Sequence, residues 1–263
     1  MDNISTMSKQ QLNEVKIILT DIDDTLTTDG RLKSNAYSAL ENLSNSGFIV
    51  IPVTGRCAGW CDHIARMWPV NGVVGENGAF FFSYDHQSKK MQQTYCQTPK
   101  ERKENHLALH EIKKTILKNV SGSALASDQD YRHTDLAIDF AEDLARLSSN
   151  KIKEIVTIAE NAGAIAKVSS IHVNCWIGSH NKLSTSLTTL EQVFGVSNSN
   201  IQNEVLFIGD SPNDSMMFDY FNKSVGVANV MDFIKELDKP PKYITLNHSG
   251  EGFVELADSL LRR

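Results

Sequence analysis

The chain alternates short apolar runs with amphipathic stretches, and the order of these segments predicts a parallel sheet covered by helices. The run 15–20 is apolar and β-branched, as expected of a buried strand, and a cluster of acids follows it directly. Next comes a helix that Ser34 can cap and that ends near Gly47, and then a second apolar run at 48–53. A strand, a helix and a strand in this order, with continuously apolar strands, are typical of a parallel sheet.

The sequence changes character in the middle of the chain, where charged amphipathic and alternating segments replace the apolar strands. The predicted elements of this stretch are helices at 99–120 and 148–162 and strands at 136–140 and 171–175. From Lys182 the parallel pattern resumes. We therefore predict an α/β fold whose doubly wound, Rossmann-like core consists of residues 1–82 and 179–263, with residues 83–178 inserted as an α+β domain.

Composition and charge narrow the possible classes of protein. With 263 residues, 41% of them hydrophobic, the chain can bury one large core or two smaller ones. The formal net charge of −6 argues against a nucleic-acid partner, which requires a clearly basic face. No segment approaches the roughly 20 apolar residues of a membrane helix, and residues 1–11 lack the apolar core of a secretory signal. We expect a cytoplasmic monomer or homodimer that binds neither membranes nor nucleic acid.

Unusual polar residues are concentrated in three loops, each directly after a predicted strand. The loops are 21–25, 54–56 and 210–214. In an open α/β sheet the carboxyl ends of the strands face one crevice, where ligands bind. The three loops are therefore predicted to form a single site.

The first of these loops places three carboxylates, Asp21, Asp23 and Asp24, within four positions. Like charges this close repel unless a cation or hydrogen bonds compensate them, and Mg²⁺ prefers carboxylate oxygens. The alternative is an acidic turn with solvated side chains. Asp210 and Asp214 offer a second set of carboxylates, although Asp210 can equally cap its own helix.

The loop Thr54-Gly55-Arg56 adds a hydroxyl group and exposed backbone amides. Both suit a phosphate oxygen, but Thr54 can instead cap the helix that follows. Together the three loops predict a site for a phosphate group and a divalent cation.

Four motifs in order resemble those of the haloacid dehalogenase-like phosphohydrolase superfamily, in its Cof-type and sucrose-phosphatase-like branch. The matching residues are Asp21, Asp23 and Thr25, then Thr54, then Lys182, and finally Gly209, Asp210, Asn213 and Asp214. The resemblance covers roughly residues 15–82 and 180–263. One departure is Asp24, where this branch usually carries Gly. Lys167 competes with Lys182 for the third motif, but it falls in a strand-like run of the insert.

The resemblance implies a Mg²⁺-dependent phosphatase that hydrolyses a small-molecule phosphate ester through an aspartyl-phosphate. Asp21 would be the nucleophile and Asp23 the general acid and base. The predicted ligands of Mg²⁺ are Asp21, the backbone carbonyl of Asp23, and Asp210. Asp214 would orient these ligands without touching the ion or would bind it through water. The predicted phosphate-binding residues are Thr54, Gly55, Lys182 and Asn213.

The insert corresponds, in this resemblance, to a cap that closes over the crevice and selects the substrate. The candidate substrate contacts are Asn77, Arg132, His133, His172 and Asn174. Asn77 can equally serve a turn, and His172 and Asn174 can simply face solvent. A polyol-like surface with one Arg suits a sugar phosphate or a sugar-acid phosphate.

Two other functions remain open at this point. A phosphomutase similar to phosphomannomutase would return the phosphoryl group from Asp21 to the substrate, and nothing in the motifs excludes it. A metabolite-binding module without catalysis would not need a nucleophile and an acid/base together, and the retention of both Asp21 and Asp23 argues against it.

Overall fold

A computed structural model describes residues 1–169 and 171–263. Its strands are β1 (Asp2–Asn3), β2 (Ile17–Thr20), β3 (Ile49–Pro52), β4 (Val73–Gly75), β5 (Phe80–Asp85), β6 (Lys90–Tyr95), β7 (Ala124–Leu125), β8 (Leu136–Asp139), β9 (Ile165–Val168), β10 (His172–Trp176), β11 (Val205–Gly209), β12 (Lys223–Gly226) and β13 (Tyr243–Ile244). Its α-helices are α1 (Lys9–Glu14), α2 (Ser34–Asn45), α3 (Ala58–Met67), α4 (Pro99–Asn119), α5 (Ser149–Asn161), α6 (Lys182–Gln192), α7 (Asn198–Glu204), α8 (Ser215–Tyr220) and α9 (Ser249–Leu261).

The central sheet has the strand order β1-β13-β12-β11-β2-β3, and every pair in it is parallel. One hydrophobic cluster joins α2, α3 and α9 to one face, and a second joins α6, α7 and α8 to the other. The predicted parallel core with helices on both faces is confirmed. Because Thr20 pairs with Ile208 and with Pro52, β2, β11 and β3 end side by side.

The insert forms a separate antiparallel sheet in the order β7-β8-β10-β9. Helices α4 and α5 cover it and bury Leu109, Ile112, Ile116 and Ile155 in a third hydrophobic cluster. The predicted α+β character of this part of the chain is therefore present in the structure.

A hairpin of β5 and β6 lies between the central sheet and the insert. It pairs with β4, which itself joins the central sheet through the parallel bridge between Val53 and Val74. Strand β5 runs across the predicted boundary between residues 82 and 83. The division of the chain into a core and a cap at that position stays a prediction.

Two local features differ from the sequence interpretation. The residue that precedes α2 is Lys33, so Ser34 lies inside the helix and does not cap it. The polar N-terminal stretch is ordered, because β1 pairs with β13 and a capping box at Ser8 begins α1. Among the residues that the structure describes, no helix combines the length and the apolar character needed to cross a membrane.

Candidate active site

Three buried carboxylates lie where β2 and β11 end. Asp21 follows β2, and Asp210 and Asp214 follow β11. One ligand oxygen from each lies within 4.8 Å of the others. We call these three residues the acidic cluster. It contains three of the four residues that the sequence predicted as metal ligands.

The side chain of Lys182 bridges two members of the acidic cluster. Its Nζ lies 2.8 Å from Asp21 Oδ1 and 2.8 Å from Asp214 Oδ1. Asn181 caps α6 through its side chain, which places Lys182 in the first turn with its ammonium group buried. Lys167, the competing candidate, is exposed in β9. The structure thus brings Lys182 to the predicted site.

Negative charge exceeds positive charge inside this cluster. Burial raises the pKa of Asp21 to about 7 although Lys182 opposes the shift, and burial together with Asp21 and Asp214 raises the pKa of Asp210 well above its usual range. One ammonium group cannot balance three carboxylates in a low dielectric. A divalent cation with oxygen ligands would supply the missing charge, so the residues present fit Mg²⁺.

Several neighbours fix the carboxylates and the loop that carries Asp21. Thr25 Oγ1 donates to Asp210 Oδ1 at 3.2 Å, and Asn229 Nδ2 donates to the Asp24 carbonyl at 3.0 Å. Asp24 has φ of 56°, a left-handed conformation that Gly adopts without strain, so the Gly expected here from the resemblance would fit the same turn. A side chain at Gly209 would collide with the Asp214 carboxylate, so Gly is required there.

Asp23 lies beside the acidic cluster and forms an ion pair with Arg56. Arg56 Nη2 lies 2.8 Å from Asp23 Oδ1, and Arg56 Nε lies 2.9 Å from Asp23 Oδ2. The remaining nitrogen, Nη1, lies 2.9 Å from Oε1 of Glu142 in the insert. Thr54 Oγ1 accepts a hydrogen bond from the Arg56 backbone amide at 3.0 Å and so shapes this loop. Arg56 therefore links the predicted acid/base residue to the insert.

A cavity joins the core loops to the insert. The core lines it with Asp21, Asp23, Gly55, Arg56, Ser211 and Asn213, and the insert lines it with Ser169, Ile171, His172 and Asn174. His172 and Asn174 are both buried, so they do not face solvent as the alternative interpretation proposed. Thr54 and Lys182 are buried and are not among the residues that line this cavity.

Gly55 lies against two buried side-chain amides. A Cβ atom at this position would come within 2.9 Å of Asn174 Nδ2 and 3.1 Å of Asn77 Oδ1. Asn77 Nδ2 and Asn174 Oδ1 have no hydrogen-bond partner in the described residues. Buried polar atoms without a partner are costly, so both amides are candidates to bind an oxygen or hydroxyl group of a ligand.

Arg132 and His133 bind other protein groups. Arg132 Nε lies 2.9 Å from Asp128 Oδ1, and Arg132 Nη1 lies 3.0 Å from Asp135 Oδ1 and also donates to the Gly55 carbonyl at 3.0 Å. His133 Nδ1 lies 2.7 Å from the Tyr95 hydroxyl. Their predicted contact with substrate stays a prediction, and in this geometry Arg132 supports the loop of Gly55.

The buried carboxylate of Glu76 connects the core to the insert. Glu76 Oε1 accepts hydrogen bonds from the backbone amides of Ala58 at 2.9 Å and His133 at 2.8 Å. Glu76 Oε2 accepts from the Thr134 amide at 2.7 Å and from the Thr134 hydroxyl. Burial raises the pKa of Glu76, while these hydrogen bonds and the charge of Arg132 oppose the shift. Together, Arg132, Asp128, Asp135 and Glu76 form what we call the buried seam.

Sequence interpretation missed three functional candidates. Arg56 belongs to the Thr54-Gly55-Arg56 loop, but phosphate binding was predicted for Thr54 and Gly55 and no role was predicted for Arg56. Glu142 carried no signal, because its importance depends on Arg56 and His172, which are distant in the chain. Asn229 follows β12 in a stretch where no motif was noted, and its contacts with the loop of Asp21 arise only in the fold.

Comparison with known proteins agrees with this geometry. A family model described as haloacid dehalogenase-like hydrolase matches residues 18–255. The phosphoglycolate phosphatase of Methanobrevibacter smithii is 24% identical over 252 residues, which cover 94% of this chain and 99% of that protein. Phosphoglycolate phosphatase 1 of Saccharolobus solfataricus is 25% identical over 255 residues, which cover 94% of this chain and 96% of that protein. Both names agree with the predicted class of enzyme.

The fold is also shared with solved structures. A Thermoplasma acidophilum protein superimposes with a TM-score of 0.71 at 18% identity, covering 94% of this chain and 98% of that chain. At this identity the likeness concerns the fold alone.

Proposed function

This chain belongs to the haloacid dehalogenase-like hydrolase family, and from that membership we propose that it is a Mg²⁺-dependent phosphatase that forms an aspartyl-phosphate on Asp21. The observation that carries the proposal is the contact of Lys182 with Asp21 inside the acidic cluster. A buried carboxylate held by an ammonium group, beside carboxylates that suit a cation, is an arrangement that suits phosphoryl transfer to a carboxylate.

Each predicted residue has a position that supports its proposed role. Asp21 would attack phosphorus, and Lys182 would offset the repulsion between its carboxylate and the phosphate dianion. Asp23, which lines the same cavity, would protonate the leaving oxygen and later accept a proton from the attacking water. Gly55 and Asn213, on opposite loops of that cavity, would bind the phosphoryl oxygens together with Thr54.

The proposed metal site uses the residues of the acidic cluster. Asp21 and Asp210, with the backbone carbonyl of Asp23, would bind Mg²⁺, and Asp214 would support them directly or through water. The bound ion would neutralise charge on the phosphoryl group. Thr25 and Asn229 would keep the ligands oriented through their contacts with Asp210 and the loop of Asp21.

We further propose that the substrate is a small phosphate monoester, of the sugar phosphate or sugar-acid phosphate class. The cavity is small and is closed on one side by side chains of the insert, among them His172 and Asn174. The polar side chains around it suit hydroxyl or carboxylate groups on the leaving group. Both relatives are named for phosphoglycolate, which is the phosphate ester of a hydroxy acid. Their names therefore support a sugar-acid phosphate more than a neutral sugar phosphate.

The decisive experiment is Asp21→Asn, assayed for phosphate release from a panel of phosphate esters with Mg²⁺. We expect turnover to fall by about 10⁴-fold or more, because the amide cannot act as the nucleophile. Asp258→Asn, at a half-exposed surface position, controls for the loss of a carboxylate. Near-normal turnover in a folded Asp21→Asn protein would refute the assignment. Interconversion of phosphate isomers without release of free phosphate would instead identify a phosphomutase.

A further inference from the structure

Glu142 of the insert reaches the edge of the catalytic cavity and is bound there by two cavity-lining side chains. Its Oε1 lies 2.9 Å from Arg56 Nη1, and its Oε2 lies 2.8 Å from His172 Nε2. Arg56 and His172 are almost completely buried, with side-chain exposures of 6% and 3%. A guanidinium group and an imidazole that each hold one oxygen of the same carboxylate constitute a carboxylate-binding site.

The backbone around Glu142 is held in place for this contact. Asp139, the last residue of β8, accepts hydrogen bonds on its carboxylate from the amides of Ala141, Glu142 and Asp143, at 2.8, 2.8 and 2.9 Å. The turn is therefore fixed locally. The long side chain of Glu142 can still leave Arg56 without disturbing the turn, since only the backbone is held by Asp139.

Glu142 has no role in the proposed hydrolysis, and its charge is unfavourable for it. Asp21, Asp23 and the rest of the acidic cluster already place negative charge around the position of a phosphate dianion. The close contact with His172, together with Arg56, lowers the pKa of Glu142 to about 2, so it adds a further negative charge. The negative charge of this side chain would repel the phosphate group of a bound ester.

We propose that Arg56 and His172 form a subsite for a carboxylate on the leaving group, and that Glu142 occupies this subsite until such a substrate displaces it. This inference rests on the proposed phosphatase function and deepens it. The subsite would make the enzyme selective for phosphorylated hydroxy acids. Neutral phosphate esters would leave Glu142 in place.

The position of the subsite also limits the length of the acid. The other two nitrogens of Arg56 hold Asp23, the residue that would meet the leaving oxygen. A carboxylate on Arg56 Nη1 would therefore lie close to that oxygen. The fit is best when the carboxylate is attached to the ester carbon itself or to the carbon after it, as in a short 2- or 3-hydroxy acid.

The test compares phosphoglycolate with 2-hydroxyethyl phosphate, which has a hydroxymethyl group in place of the carboxylate. The measured quantity is the ratio of the two kcat/KM values with Mg²⁺. In His172→Gln the ratio should fall about tenfold or more towards the neutral ester, because the imidazole that would contact the carboxylate is lost. In Glu142→Gln the ratio should rise several-fold, with the gain in the KM for phosphoglycolate, because the competing charge is gone. Glu154→Gln, at an exposed position of α5, is the matched control.

A second readout does not depend on turnover. Glycolate should bind more tightly to folded Glu142→Gln than to the unchanged protein, by calorimetric titration, and more weakly to His172→Gln. If Glu142→Gln lowers kcat/KM for both esters by the same factor and leaves glycolate binding unchanged, Glu142 is only a structural link, and the subsite proposal is wrong while the phosphatase stands. If the unchanged protein releases phosphate from neither ester nor from any other, the proposed function fails, and this proposal with it.

Discussion

The acidic cluster and the buried seam are two groups of buried charges that differ in how their carboxylates are arranged. In the seam, Arg132 is held by Asp128 and Asp135, and Glu76 receives four hydrogen bonds from the core and the insert. In the acidic cluster, three carboxylates share one ammonium group. Each group thus has three carboxylates and one cation, but in the cluster the carboxylate oxygens lie within 4.8 Å of one another, as the ligands of a metal ion do, whereas the seam carboxylates bind Arg132 and backbone amides.

This difference separates a scaffold from a reaction site. Buried charges that find all their partners within the chain fix a geometry, and the seam fixes the loop behind Gly55 through Arg132. Buried charges that lack partners raise the free energy of the protein unless a ligand supplies them. The comparison can be tested by removing one charge from each group and asking whether Mg²⁺ restores stability.

The largest effect is expected for Lys182→Met. This substitution removes the only ammonium group in contact with Asp21 and Asp214 among the described residues, and it should lower the free energy of unfolding by about 3–5 kcal/mol without a divalent cation. Mg²⁺ should recover part of this loss by binding the carboxylates. The measurement is urea unfolding with Mg²⁺ and with a chelator.

Lys16→Met is the matched control for that experiment. Its ammonium group pairs with Glu204 at the surface, where ion pairs contribute only about 0–1 kcal/mol. If Mg²⁺ stabilises Lys182→Met no more than it stabilises Lys16→Met, the acidic cluster is not a cation site, and the contrast with the seam disappears.

A smaller effect, of about 3 kcal/mol, is expected for Glu76→Gln in the seam. Glutamine keeps one acceptor oxygen but turns an NH₂ group towards amides that need an acceptor, so backbone donors of the core or the insert lose their partner. In contrast to Lys182→Met, Mg²⁺ should restore none of the lost stability. The same unfolding experiment measures it, with the exposed Glu111→Gln as control. Recovery with Mg²⁺ would show that the two groups of charges are not independent.

The same contrast explains which parts of the site could be predicted from the sequence. Asp21, Thr54 and Asp210 follow apolar strands that end side by side, so strand pattern and topology alone bring them together. Lys182 was assigned because the family resemblance requires a Lys in the third motif, and this Lys begins the helix that resumes the parallel pattern. The common location of these residues could therefore be predicted from the order of strands and helices along the chain.

Residues of the seam and the insert could not be assigned in this way. Arg132 was expected to contact substrate because an Arg among polar residues suits an anion, but its partners Asp128 and Asp135 are set by the packing of the insert. The β5–β6 hairpin escaped prediction because Phe80 to Phe82 do not alternate with polar residues, since both faces of β5 are buried at its start. Glu142 could not be recognised from the sequence, because its role depends on a contact between two parts of the fold.

The smallest effect is expected for His180, which lies where the insert returns to the core. Unlike the two groups of buried charges, it is a buried titratable group that stays neutral. Its ring packs on Trp176, its Nε2 has no hydrogen-bond partner in the described residues, and burial lowers its pKa to about 4. Because the folded-state pKa lies below the unfolded value of about 6.5, the unfolded chain takes up the proton first. The contribution of neutral His180 to the free energy of unfolding is therefore complete above pH 6.5 and decreases as the pH falls towards 4.

Between pH 7.5 and pH 5, the free energy of unfolding of His180→Gln should rise by about 2 kcal/mol relative to that of the unchanged protein, measured by urea unfolding at each pH. His63→Gln, at an exposed position, controls for the substitution itself. A constant difference between His180→Gln and the unchanged protein across this range would contradict this prediction, because it would mean that His180 takes up a proton as readily in the folded protein as in the unfolded chain.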